Sequence, residues 1–392
     1  VVQPARLRRS VAAGAAARTG RSPSAVLGMS MALEAGRGRT AVPVRPALVG
    51  AVAGITGVVA ALTFGASLDR LVTTPSAYGW NWAISPDLFG DDAETVAALP
   101  EVKDVGILLF RQTSVDGEPV EGIAVHAVAG APSLTVLDGR MPSAVGEVAL
   151  GPKTADELGK GIGDTMRVDA NDGEPIEVTV VGEVLFPVFD ENPFNEGLAF
   201  HPDLAVDVQQ SDGFGAAMVD FRSGVSDEEG TAAIRAALPE ALTVYSFPSQ
   251  PGDVANLEQV SAVPLALAAF LVVVALAAVA HTLVTSVRRR RRDLGVVRAI
   301  GFRGRDVLLS VGIQASTIIA IGLLVGAPLG VALGRSAWSL VADQLGVGTS
   351  PTVPALALVV LVPAALVAAV VLALLPGRAA TRVSPAVALR AE

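Results

Sequence analysis

The chain has 392 residues, of which 51% are hydrophobic and 17% charged; its mean hydropathy is +0.54, its formal charge −9, and it has no cysteine. A sequence this apolar with an ordinary share of charge must combine a lipid-soluble part with a water-soluble one. The missing cysteines exclude disulfide staples, thiolate metal sites and cysteine nucleophiles, so a water-exposed domain must be held by its core alone.

Residues 1–46 come first, with eight Arg and one Glu, net +7, and 27–45 reads as an amphipathic lead-in. Four windows then lack Asp, Glu, Lys and Arg altogether: Ala47–Leu68, Val260–Val287, Val307–Gly334 and Gln344–Gly377. Roughly 20 apolar residues, rising about 1.5 Å each, cross the hydrocarbon core, so each window makes one crossing and none makes two. The first window starts too far along the chain and lacks the small-residue flank of a signal peptide, so it is a retained span. The expected segments are a lead-in at 1–46, transmembrane helices at 47–68, 257–287, 307–334 and 351–377, and a domain at 69–256. A connection at 288–306, a loop at 335–350 and a tail at 378–392 complete the chain. The fold class is therefore a membrane protein with four transmembrane α-helices and a mixed α/β extracytoplasmic domain inserted between the first and second helices.

Charge sets the expected orientation, because Lys and Arg collect on the cytoplasmic side of spans. The connection 286–306 carries eight Arg and two Asp, net +6, and the end 377–392 three Arg and one Glu, net +2. Residues 69–256 hold nine Lys and Arg against 32 Asp and Glu, net −23. Both termini and the 288–306 connection are expected in the cytoplasm of a bacterial plasma-membrane protein, with the acidic domain outside. The overall acidity is an average of two opposite surfaces and gives no reason to expect nucleic acid. The five arginines at 288–292 read as a stop-transfer anchor that also attracts anionic lipid headgroups.

Within 69–256, strand-like runs are predicted at Val105–Phe110, Ile123–Val128, Glu147–Leu150, Thr165–Val168 and Ile176–Val184. Asp116-Gly117 and Asn171-Asp172-Gly173 supply turns, and helices are predicted at Asp91–Leu99, Lys153–Leu158 and Asp227–Leu238. No catalytic constellation or metal spacing emerges: His126, His201 and His281 are isolated, and Gly159-Lys160-Gly161-Ile162-Gly163-Asp164 precedes a strand and reads as a turn. Neither cofactor nor metal is expected. Tyr78, Trp80 and Trp82 read as core or stalk packing.

The third span carries Gly322, Gly326, Gly330 and Gly334 at four-residue spacing, a face without side chains along which backbones can approach closely, within the chain or in a dimer. Pro264, Pro328 and Pro363 are candidate kinks. No acidic or basic residue lies inside a span, which argues against a proton-coupled transporter. In the connection, Leu294, Val297 and Ile300 recur every three residues as in a short amphipathic helix, and Gly301 is placed to end it. Such a helix is an anchor or a docking surface.

Asp293-Leu-Gly-x-x-Arg-Ala-Ile-Gly301 after a basic run, a glycine-rich next span, and the tail Pro376-Gly-Arg-Ala-Ala-x-Arg-x-Ser-Pro-Ala-Val-Ala-Leu-Arg390 resemble the FtsX-like permeases of ABC transporters, the group of MacB and LolC/LolE-type subunits. Asp138-Gly-Arg-Met-Pro-x-x-x-Gly-Glu-Val-Ala-Leu150, followed by Gly161-x-Gly-Asp-Thr165, is similar to their extracytoplasmic core domain. The resemblance implies a permease without an ATPase site of its own. A separate cytoplasmic ABC ATPase, which binds the ATP, would dock on Arg292, Asp293, Leu294, Gly295, Val297, Arg298, Ala299, Ile300, Gly301 and Arg303. Leu294, Val297 and Ile300 would fill its groove, and Arg292, Arg298 and Arg303 would pair with acidic residues at its rim. A second permease copy or half would complete the complex, and ATP-driven closure would move the outer domain to export or extract a substrate. The alternative within the family is a regulator that activates a cell-wall hydrolase. The motif Pro4-Ala5-Arg6 echoes Pro376-Gly377-Arg378, so the chain is expected either as the second half of a duplicated permease or as a product of a GTG start.

Overall fold

The computed structural model describes residues 22–34, 44–88, 90–169, 175–188, 194–204, 215–238, 244–245, 250–348 and 350–381. The expected turn at 171–173, most of the lead-in and the tail motif from Arg382 lie outside these residues, as does the side chain of Arg292. The chain forms two compact bodies, one of residues 1–67, 261–338 and 351–392, the other of 68–260 and 339–350.

The first body contains α1 (Pro23–Leu33) and long apolar helices: α2 runs from Val44 to Thr73 and continues into the second body at Leu68. The inserted domain follows, with β1 (Ser85–Pro86), α3 (Asp91–Ala97), β2 (Val102–Val115), β3 (Glu118–Ala129), β4 (Thr135–Gly139), β5 (Glu147–Leu150), α4 (Pro152–Leu158), β6 (Thr165–Asp169) and β7 (Ile176–Leu185). After these come β8 (Leu198–Phe200), β9 (Gly215–Phe221), α5 (Asp227–Ala237), β10 (Val244–Tyr245) and α6 (Gly252–Gln259). The chain returns through α7 (Val263–Arg289), α8 (Arg291–Ala299), α9 (Gly304–Leu345) and α10 (Ala355–Thr381). Among the described residues, four helices are long and apolar enough to cross a membrane: α2, the α6–α7 stretch, α9 and α10.

Two expectations about the spans change. Pro264 does not kink the second span; it sits in the first turn of α7, where its missing N–H has no helical partner to lose. The helix of the third span does not end at Gly334. Arg335 closes the charge-free window but not the helix, which runs 42 residues to Leu345, so the expected loop at 335–350 is helical over most of its length. Gly346 ends it at φ +64, with Gly346 N–H on Asp343 O and Val347 N–H on Ala342 O, the paired bonds of a Schellman cap.

The glycine ridge of α9 is seated on α2. A Cβ on Gly322 would lie 2.7 Å from Ile55 Cδ1, on Gly326 2.8 Å from Val52 O, on Gly330 2.6 Å from Val59 Cβ and on Gly334 2.7 Å from Ala60 O. From Gly326 onward each four-residue step on α9 meets a four-residue step on α2, at the carbonyls of Val52, Thr56 and Ala60. Thr56 Oγ1 donates to Gly326 O at 3.2 Å, and one turn beyond the ridge Trp338 meets Phe64 edge to face, ring centres 5.9 Å apart.

The inserted domain is built on a closed ring of strands. The hairpin β2–β3 turns on Asp116 (φ 52) and Gly117 (φ 91), the two left-handed positions of a type I′ turn. β3 pairs in parallel with β8, β8 with β5, β5 in parallel with β7, β7 with β6, and β6 returns to the end of β2 through Ser114 and Val115. β9 adds to β2 and β4 to β7. Side chains from these strands, among them Val148, Val168, Val178, Leu198 and Phe200, fill the interior, with Val96 of α3 and Ile234 of α5 in the same core. Tyr78, Trp80 and Trp82 are buried, the two indoles 4.7 Å apart.

The sequence around Asp138–Leu150 forms a stapled loop between β4 and β5. Gly139 (φ +69) approaches the Val181 carbonyl more closely than any Cβ allows. The Arg140 guanidinium grips both carboxylate oxygens of Glu147, and Ser143 N–H donates to Glu147 Oε2 at 2.9 Å. Hydrogen bonding to Arg140 first, and to the Ser143 amide second, holds the Glu147 carboxyl down at about 2.

Two outcomes follow from this packing. Gly330→Val drives its side chain into Val59 and the Thr56 carbonyl and should cost about 1–3 kcal/mol, read as a lower melting temperature of the purified protein. Gly312→Ala, which enters open space, should melt with wild type; equal melting of both variants would refute the seating of the ridge. For Glu147, a depressed folded-state pKa means stability that is present above the ordinary carboxyl value and lost as pH falls toward about 2. The melting difference between wild type and Glu147→Gln should be constant near neutrality and shrink as pH falls from about 4.5 to about 2. A difference that does not shrink would show that the staple does not act through the charge.

Candidate functional site: the connection between the second and third spans

Helix α8 begins directly after α7, with Leu294 N–H bonded to Arg290 O. It ends where the sequence places its end: Gly301 is at φ +114, its N–H reaches Arg298 O, and Phe302 N–H reaches Val297 O. Asp306 then accepts from Arg303 N–H at 2.9 Å and fixes the entry to α9.

The residues grouped by the sequence divide between two faces. Leu294 is only 3% exposed and belongs to the core of the spans with Met31, Val287 and Val307; Gly295 is buried and Val297 and Arg298 are half-buried. Asp293, Val296 (41% exposed), Ala299, Ile300 (79%), Gly301 and Arg303 face outward. The expectation that Leu294 fills a partner's groove is therefore corrected. An amphipathic helix lays its most apolar stripe on its own body, so Leu294 is an anchor. Val296, which the three-residue spacing passes over, joins Ile300 at i, i+4 as the exposed apolar pair.

Around this helix the first body is tied by polar contacts. Gln314 of α9 donates through Nε2 to Ser286 Oγ of α7 at 3.0 Å and to the Met31 carbonyl of α1 at 3.4 Å, all buried. A Cβ on Gly28 would lie 2.6 Å from Ser310 O, so α1 lies backbone to backbone on α9. Arg290 donates to the carbonyl of Glu34, just after α1. Sequence reading missed this group; a lone Gln in an apolar window was its signal, since an amide at that depth needs partners.

Among the described residues no three His, Asp or Glu side chains gather to hold a metal ion. The apolar cavity inside the strand ring, lined by Arg111, Val148, Val178 and Phe200 among others, measures about 20 Å³, room for one water.

Comparison with known proteins agrees with this division. Residues 47–237 match the MacB-like periplasmic core domain, and residues 265–385 the FtsX-like permease C-terminal family. Two curated relatives, the proteins named macrolide export ATP-binding/permease protein MacB of Brucella abortus (strain 2308) and of Brucella melitensis biotype 1, are each 35% identical over 115 residues. That stretch is 29% of this chain and only 17% and 16% of the relatives' lengths. A solved domain of a Porphyromonas gingivalis protein described as a permease covers 47% of this chain and 97% of its own at 12% identity, with a TM-score of 0.31, too low to bear on the fold. With the core domain between its first and second spans and the permease region behind it, this chain belongs to the FtsX-like permeases that carry a MacB-like periplasmic core domain.

Proposed function

We propose that the chain is the membrane subunit of an ABC transporter, passing ATP-driven motion of a separate cytoplasmic ATPase to its extracytoplasmic domain to export or extract a substrate. The observation that carries this reading is the two-faced helix α8. One side is locked by Leu294 into the core of the spans; the other presents Val296, Ile300 and Arg303 to solvent. A helix seated on its own spans and apolar on its free side is suited to receive force and hand it on. Charge supports the orientation, with arginines around α8 and net −23 over 69–256. The Brucella relatives are named as ATP-binding export proteins, which supports coupling to ATP. Here the nucleotide belongs to the partner subunit, and a second permease copy or half completes the complex in the plasma membrane.

The reading is tested by co-expressing the chain with an ABC ATPase subunit from the same organism and measuring co-purification. Ile300→Asp and Val296→Asp should reduce the ATPase recovered about tenfold or more, as the loss of a central apolar anchor does at an interface, while the membrane subunit's yield and melting stay unchanged. Leu294→Ala should instead lower melting, because it opens a cavity in the core, at a cost of about 2–5 kcal/mol. Full ATPase recovery with Ile300→Asp would remove α8 as the docking element.

A further inference from the structure

Asn195 lies outside every motif that the sequence offers, yet it is held on every side. It is fully buried and left-handed, at φ 61. Its backbone N–H donates to Phe186 O at 3.3 Å, and its side-chain Oδ1 accepts from Phe186 N–H at 3.2 Å, so the residue is fixed at the end of β7. Its Nδ2 then donates twice, to Leu345 O at 3.2 Å and to Gly346 O at 2.8 Å. These are carbonyls at the C-terminal end of α9, where the Schellman bonds satisfy Ala342 and Asp343 but leave the next carbonyls free. The amide's orientation is unambiguous, because its oxygen faces an N–H and its nitrogen faces two carbonyls. Gly346 is held close on its other sides as well: a Cβ there would sit 3.2 Å from Pro152, 3.3 Å from Lys153 and 3.4 Å from the Asn195 Cβ. All these residues belong to the second body, which includes 339–350.

We infer that Asn195 is a clamp that fastens the end of α9 to the β7–β8 side of the strand ring, and that it stays closed through the working cycle, so that the domain follows the third span. The clamp is made by side-chain hydrogen bonds and can be cut without cutting the chain. Along its middle α9 is seated on α2 through the glycine ridge at Gly322–Gly334. A helix gripped along its middle and again at its end is suited to transmit displacement. The part of the inference that concerns motion rests on the proposed function; the clamp itself does not.

The test uses the full chain, whose lack of cysteine makes designed disulfides clean. Asn195→Asp keeps the acceptor for Phe186 N–H and turns the two donors into a carboxylate against carbonyls at the negative end of a helix. In lipid nanodiscs without ATPase, hydrogen exchange at residues 342–347 should rise about tenfold or more in Asn195→Asp, while the β2–β3 hairpin keeps its protection. Unchanged exchange there would overturn the clamp. The oxidised Asn195→Cys/Gly346→Cys variant, whose Cβ separation of 3.4 Å lies at the edge of the disulfide range of about 3.5–4.5 Å, should restore slow exchange. With the ATPase bound, wild type and the oxidised disulfide form should both show an ATP-dependent change in exchange across the inserted domain, and Asn195→Asp should lose most of it. Loss of that change in the disulfide form would show that the clamp must open, and would overturn the inference. If wild type itself gives no ATP-dependent change, the proposed function fails, while the nanodisc measurement still judges the clamp.

Discussion

The packing of the spans depends on the contact between α9 and α2. In lipid, apolar side chains gain little by leaving one hydrocarbon neighbour for another, so helices associate through close backbone approach and a few polar bonds. The four glycines supply the first and Thr56 on the Gly326 carbonyl the second. Around that pair the remaining helices are more loosely committed: α7 and α10 turn much of their apolar surface outward, with Phe270, Val273, Leu356 and Leu375 each largely exposed. The most firmly seated span is thus also the longest, and it is the one whose far end carries the Gly346 cap.

The second constraint is the polar tie at the start of α9. Gln314, Ser286 and the Met31 carbonyl bring three separate stretches of chain to one point, and Leu294 adds α8 to the same core. A buried amide with its partners made is costly to separate, since breaking one contact leaves an unsatisfied group in an apolar setting. Helix α8 is thereby joined to α9 through shared packing, Leu294 lying in one core with Val307 and Val311.

How much of this was legible depended on the range of the interactions. The spans showed because the exclusion of four residue types over more than twenty positions is a strong local signal, and strands β2, β3, β5, β6 and β7 showed because they alternate between turn residues. Strands β8 and β9 escaped: Leu198–Phe200 is too short to have a period, and Gly215-Ala216-Ala217 has little β preference of its own, being held by pairing with β2. The end of α9 was misplaced because Arg335 is a boundary for lipid and none for a helix. The glycine ridge was visible as a pattern, but whether it served an internal or an external contact is a question of partners, answered by residues of α2 some 270 positions away. Asn195 was invisible for the same reason: its partners lie 150 and 151 residues downstream.

The inserted domain shows what such a chain must supply to be moved as a unit. Without disulfides, its rigidity has to come from closure of the strand ring, which leaves no free edge between β2 and β6, and from side chains that fill the interior. The Arg140–Glu147 staple does the same for the β4–β5 loop that would otherwise be its softest connection. A domain with an open cavity would deform when pulled at one edge. A closed and filled ring resists such deformation, and Asn195 sits at its β7–β8 side.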